Sequence, residues 1–238
     1  MMRGIEELGW RTTPMGEISL RRRYDPAVEK DVYEVKLDEE FLMSSLFTVA
    51  EIELAWLGLE RTEGDHLDVI VGGLGLGYTA QAALEDPRVD TLTVIEYSDA
   101  VIDWHEQDLL PDTAGLAADD RVRLEQADFF AAATSTEGFD PERPGREYDA
   151  ILLDIDHSPR NVLHSPHAAF YTSDGMGAMS AHLRPGGTFA LWSDDPPDDE
   201  FVSTLGQVFT DVDARRVWFD NPFTGGRHSN TVYVATKA

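Results

Sequence analysis

Four short segments hold residues whose types and spacing could do chemistry. The first is Val71-Gly72-Gly73-Leu74-Gly75-Leu76-Gly77, which follows an apolar run and opens a helical stretch. Glycines there allow a tight turn and let a ligand approach the backbone. The second is Glu96, 19 residues after Gly77 and at the end of the next apolar run, with Tyr97 beside it. A carboxylate in that place can accept hydrogen bonds from both hydroxyls of a ribose. The third is Gln126-Ala127-Asp128-Phe129, an acid suited to an adenine amino group beside an aromatic ring that can cover the base. The fourth is Asp154-Ile155-Asp156-His157-Ser158-Pro159. Taken together these point to a nucleoside-containing cofactor held by Gly72, Gly73, Gly75, Gly77, Glu96, Tyr97, Asp128, Phe129 and Asp154. The plainer reading of the glycines is a turn that only packs a helix on a sheet.

Elements that position these segments are legible in the hydropathy. Apolar runs at 67–71, 91–96, 121–124, 148–154 and 188–193 alternate with helical spacing. Such runs predict a parallel sheet with helices on both faces. Segments 214–219 and 230–235 predict a closing hairpin, which brings the sheet to seven strands. Residues 46–60 have helical spacing, and 134–147 reads as a polar surface loop. Ahead of them, 17–21 and 31–37 alternate apolar and polar residues around a turn at 24–27. The division expected is a small antiparallel β unit over 1–45 and a Rossmann-like domain over 46–238.

Composition narrows the function. The chain has 238 residues, with 19 basic and 45 acidic side chains, for a formal charge of −26. A phosphate backbone would be repelled, so nucleic acid is not an expected partner. Cations and polyamines would be attracted, although surface acid also serves solvation alone. There are no cysteines, which excludes thiolate nucleophiles, disulfides and cysteine zinc sites. No apolar run has the length of a membrane span, and residues 1–10 lack the core of a signal peptide, so a cytoplasmic protein is expected. His157, His164 and His167 match no metal-binding spacing, and no metal is expected.

The run Leu183-Arg184-Pro185-Gly186-Gly187-Thr188, with the segments above, resembles the class I fold of S-adenosylmethionine-dependent transferases. Within that superfamily, residues 67–111, Asp128, 148–159, Phe170-Tyr171 and the β-rich N-terminus are similar to the spermidine synthase family. The resemblance implies Glu96 on ribose, Asp128 on the adenine amino group and Asp154 beside the reacting centre. It also implies S-adenosylmethionine or its decarboxylated form as cofactor. Three departures stand out. Gly75 occupies the place of an aspartate that in the family meets the amine end of decarboxylated S-adenosylmethionine. The family's Asp-Ser-Ser/Thr-Asp-Pro segment is replaced by residues 154–159. Its Tyr-His-Glu run has no clean counterpart, and only Glu53 aligns with the acid.

An amine nucleophile attacks only when deprotonated, and carboxylates at a strand end can hold the cation and then receive its proton. Asp154, Asp156 and His157 are the expected catalytic groups, with His157 able to move a proton near neutral pH. Equally, Asp154 could touch only the cofactor and Asp156 could cap the next helix. Glu53, Tyr171 and Asp194 are the expected substrate contacts, with Trp192 a further wall; either aromatic could instead be core. Asp198 and Asp199 read as the start of a helix. The leading expectation is methyl transfer to an amine or other small cationic acceptor. The second is aminopropyl transfer to a polyamine precursor, and the third is a non-catalytic protein that keeps the fold. Edges of the N-terminal strands could pair two copies into a homodimer.

Overall fold

Alternate residues of the central strands feed two different layers, as both faces of a covered sheet require. In a computed structural model, which describes residues 4–13 and 16–238, Val69 and Val71 point into one core and Ile70 into the other. The same division runs through Leu92 and Val94 against Ile95, and Ala150 and Leu152 against Ile151 and Leu153.

The order of elements begins with four strands, β1 (Glu6–Thr13), β2 (Gly16–Asp25), β3 (Lys30–Leu37) and β4 (Glu40–Ser44). They form an antiparallel meander in that order, so β1 and β4 are its edges. Helix α1 (Val49–Arg61) follows. Then come β5 (Leu67–Gly72), α2 (Tyr78–Leu84), β6 (Val89–Glu96), α3 (Asp99–Glu106), two 3-10 turns, β7 (Val122–Gln126) and α4 (Phe129–Thr134). After these lie β8 (Tyr148–Leu153), α5 (Ser173–Ser180), β9 (Leu183–Ser193), α6 (Asp199–Leu205), β10 (Thr210–Asn221) and β11 (Gly226–Thr236).

The large sheet has the order β10-β11-β9-β8-β5-β6-β7. Strands β7, β6, β5, β8 and β9 are parallel, and β11 runs antiparallel between β9 and β10. This is the expected seven-stranded, mostly parallel α/β sheet with a reversed strand in the closing hairpin. The chain builds outward from β5 to β7, then crosses back to β8. A crevice therefore opens between the tips of β5 and β8, where open sheets of this kind bind ligands.

Helices α1, α2 and α3 cover one face, and α4, α5 and α6 the other. Helix α1 lies close on the sheet because Gly58 has no side chain. A Cβ there would sit 2.5 Å from Leu152 Cδ2 and 3.2 Å from Ala190 Cβ. The small sheet adds Ile18, Leu20 and Val35 to the α1-side core. It docks on α3 through Gly9 against Trp104, and through Arg11, which pairs with Asp99 at 2.9 Å and with Asp103.

Two strands of the small unit, β1 and β4, are absent from the sequence-based expectation. Neither shows clean alternation: β1 has no fully buried residue, and β4 none. The far end of the large sheet is closed by ion pairs. Arg184 bonds Asp149 and Asp68, and Arg146 bonds Asp68 and Asp140. The Arg of the Leu-Arg-Pro-Gly-Gly run thus locks β9 to β5 and β8, away from the crevice.

Candidate active site

Gly73, Gly75 and Gly77 have φ of +92°, +50° and +88°, a region that L side chains adopt only under strain. Gly73 also lies directly on the Asp154 carbonyl, where any Cβ would collide. The bond from Asp154 N–H to the Gly72 carbonyl (2.8 Å) joins the two strand tips. Gly72 is backed by Phe129, whose ring would meet a Cβ at 2.6 Å.

Glu96 ends β6 and curls over this loop. Its two oxygens accept from Leu74 N–H (2.9 Å) and Ser98 N–H (2.8 Å). Burial pushes its carboxyl up from the ordinary value, and the backbone amides of Ser98, Leu74, Gly75 and Tyr97 oppose that push. A carboxylate has about four acceptor positions, so capacity remains for ribose hydroxyls. Tyr97 beside it is exposed. Asp128 caps α4, accepting through Oδ1 from Phe130 N–H (2.9 Å) and Ala131 N–H (3.1 Å). Its Oδ2 makes no hydrogen bond among the described residues, and the side chain stands at the surface. Phe129 is different: it is core, packed against Phe130, Phe139 and Phe170. The expectation of a ring covering the base is corrected here, because that ring is spent beneath Gly72.

Three carboxylates converge beyond the loop. Asp154 follows β8, and its Oδ2 accepts the Thr79 hydroxyl at 2.7 Å. The same hydroxyl lies 3.2 Å from the Glu51 carbonyl, on the first turn of α1. Asp194 follows β9 and is steered by Asn230, whose amide donates to Oδ1 at 2.7 Å. Burial raises Glu51 to about 8, and the negative charges of Asp154 and Asp194 add to it. Burial raises Asp154 to about 6, against the Thr79 hydrogen bond. No cationic side chain pairs with Glu51, Asp154 or Asp194 among the described residues. Glu51 and Asp154 thus have the proton affinity of a general base near neutral pH.

Glu51 was not the acid expected. The expected acid, Glu53, lies two positions on and faces elsewhere, toward Arg215 of β10 together with Glu60. The helical phase of Glu51 with the buried Leu54, Ala55 and Gly58 was the signal that could have found it.

Asp156 is also corrected. It is 1% exposed and accepts three bonds: Leu163 N–H (2.7 Å), His167 Nδ1 (3.0 Å) and the Tyr171 hydroxyl (2.9 Å). It neither faces the crevice nor caps a helix; it ties down the segment from 157 to 171. Tyr171 is core with Phe130, Phe170 and Phe201, not a pocket wall. Burial and the Asp156 charge hold its hydroxyl well above the ordinary value. His157 is half-buried; its carbonyl accepts Asp194 N–H at 2.7 Å, which stitches the loops after β8 and β9 together. Its ring makes no hydrogen bond among the described residues. His167 stacks on Phe130 at 3.8 Å, and no group of His, Asp and Glu suited to a metal occurs among the described residues. Trp192 is half-buried against the α1-side core. Asp198 caps α6, accepting Glu200 N–H at 2.9 Å.

The fold is that of the spermidine synthases. A spermidine synthase from Thermotoga maritima matches with a TM-score of 0.71 at 16% identity, over 98% of this chain and 72% of that one. A spermidine synthase solved with the transition-state analogue AdoDATO matches with a TM-score of 0.72 at 17% identity, over 98% and 74%. No protein-family model and no curated protein matches the sequence. The likeness is thus one of architecture, spread over nearly the whole chain. Among the described residues, no helix is long and apolar enough to cross a membrane.

Proposed function

We propose that the protein transfers an aminopropyl group from decarboxylated S-adenosylmethionine to a small cationic amine. The observation that carries this reading is the convergence of Glu51, Asp154 and Asp194 beside the glycine loop, with no basic residue pairing with them among the described residues. Glu96 takes the ribose, Asp128 reaches the adenine amino group through Oδ2, and the glycine turn lies along the nucleoside. The left-handed turn at 73–77 supports that fit, since it leaves open backbone where side chains would stand.

In the reaction the neutral amine nitrogen attacks the carbon attached to the sulfonium. A C–N bond forms as the C–S bond breaks, and sulfur keeps the bonding pair as a neutral thioether. The new ammonium gives up its surplus proton to Asp154 or Glu51. One of the two carboxylates first holds the incoming ammonium and takes the proton that frees its lone pair before the attack, and the other takes the surplus proton of the product, uptake that their raised proton affinity favours. Holding the nitrogen in line with the carbon supplies much of the remaining rate. His157 stands next to this route and is proposed as a proton shuttle to solvent.

A second reading, methyl transfer from intact S-adenosylmethionine, is favoured by one observation. Gly75 presents no carboxylate to the tail of the cofactor, and Met43 Sδ lies 3.0 Å from where a Cβ would stand. The tail of intact S-adenosylmethionine carries a carboxylate that an acid at this place would repel. Titration calorimetry with S-adenosylmethionine, its decarboxylated form and the thioether products decides between them. Tighter binding of the decarboxylated form, with an aminopropylated product by mass spectrometry, supports the first reading. Tighter binding of the intact form, with a methylated product, supports the second. No binding of any of these supports a protein that keeps the fold without the chemistry.

A further inference from the structure

His105 on α3 is almost wholly buried and plays no part in the chemistry above. Its Nε2 lies 3.0 Å from the Gly75 carbonyl. A carbonyl only accepts, so Nε2 carries the proton. Nδ1 is then a bare nitrogen, and it has no hydrogen-bond partner although it is buried. An uncompensated buried nitrogen costs stability, and a ring kept in spite of that cost is held there by its other nitrogen. The next carbonyl of the loop is gripped in the same way: the buried Thr113 hydroxyl donates to the Leu76 carbonyl at 2.9 Å. The segment from 105 to 113 therefore fixes two successive peptide planes of the glycine turn. His105 also fills the space beside Gly77, where a Cβ would sit 2.6 Å from its Cε1.

A trans peptide sends its C=O and N–H to opposite sides. Binding the Gly75 carbonyl to α3 thus turns the Leu76 N–H away from α3. Among the described residues that amide donates no hydrogen bond, unlike its neighbours Leu74, bonded to Glu96, and Gly77, bonded to the Leu74 carbonyl. We propose that His105 is a positioning residue that fixes the Gly75–Leu76 peptide, so that the Leu76 N–H is held ready for the bound nucleoside substrate. This rests on the functional reading above for the ligand, but not for the geometry of the loop.

The test compares His105→Leu, which keeps bulk and loses the donor, with His105→Gln, which restores an N–H donor. Nitrogen-15 spectra of the wild-type imidazole should show Nε2 protonated and Nδ1 bare, whether or not any ligand binds. Hydrogen exchange at the Gly77 amide, which closes the turn, should quicken about tenfold in His105→Leu and return close to wild type in His105→Gln. The core amides of Val71 and Val94 should be unchanged in both. With the sulfonium nucleoside as ligand, KM should rise about tenfold in His105→Leu with kcat held, and recover in His105→Gln. A proton on Nδ1, or unchanged Gly77 exchange in a folded His105→Leu, overturns the proposal. If wild-type protein binds no sulfonium nucleoside, the functional reading fails alone, and the imidazole spectra and exchange still decide the role of His105.

Discussion

The Thr79 hydroxyl and the Asp154 carboxylate meet at 2.7 Å, joining the first turn of α2 to the tip of β8. The bond is the one hydrogen bond that the Asp154 carboxylate accepts among the described residues, and it shares its donor with the first turn of α1. Three separate elements therefore set the position of one acid. Thr79→Val should remove the restraint that lowers the proton affinity of Asp154. Its apparent pKa, followed by carbon-13 NMR of the carboxyl, is expected to rise above about 6.

Glu51 is expected to matter and Glu53 not. Glu51→Gln should lower kcat/KM for a cationic amine by about 100-fold, the scale of a lost general base. Glu53→Gln should stay within about twofold, since it faces Arg215. Steady-state kinetics on the two variants checks this; equal losses would remove Glu51 from its role.

Protonation should couple to stability with a definite sign. Glu51 and Asp154 have folded-state affinities raised to about 8 and about 6, above ordinary carboxyl values. The native state then binds more protons than the unfolded chain between about pH 4 and pH 8. The stability from these groups is complete below about pH 4 and is lost as pH rises through 6 and 8. Urea unfolding of Glu51→Gln should show a shallower decline over that window than wild type. A cationic ligand lowers both affinities, so its binding should release protons near pH 7. Calorimetry in buffers of different ionisation enthalpy reads that release directly.

Asp156 should register as stability. Removing it strands the Tyr171 hydroxyl in a buried place and takes the acceptor from the Leu163 amide and His167. Asp156→Ala is expected to cost about 3 kcal/mol in denaturant unfolding. Cleavage by protease between 157 and 171 should also increase. Loss of turnover with full stability would return Asp156 to the chemistry.

Glu96→Ala should weaken nucleoside binding by about 1.5–3 kcal/mol, the range of a charge-assisted site. Calorimetry with the preferred sulfonium ligand is the measurement, and unchanged affinity would reject the ribose contact. The amide of Leu74 also loses its acceptor, so the loop itself should exchange faster.

Much of this architecture is legible in the sequence because strands buried on both faces need unbroken apolar runs. Residues 69–71 within β5 and 150–153 within β8 are such runs, and the glycines and acids after them mark strand tips. Positions of Glu96 and Asp154 follow from that alone. What sequence could not give is which way a side chain faces once packing decides it. Phe129 follows a strand as an exposed cover would, yet the bare backbone at Gly72 draws its ring inward. Asp156 is held by donors 7, 11 and 15 residues further along, contacts that no local pattern announces. Glu51 was within reach, since its phase along α1 matches the buried stripe. Strands β1 and β4 were not, because each packs by only part of one face.

Gly58 gives the helix its seat on Leu152, and Glu51 stands seven residues upstream, two turns along the same face and about 10 Å away. The depth to which that carboxylate reaches is therefore decided at a position with no chemistry of its own. A methyl group added at 58 would wedge the rod off the sheet and draw the acid back from the crevice like a lever lifted at its fulcrum. Tolerance to change along α1 is in this way set by reach as much as by fit.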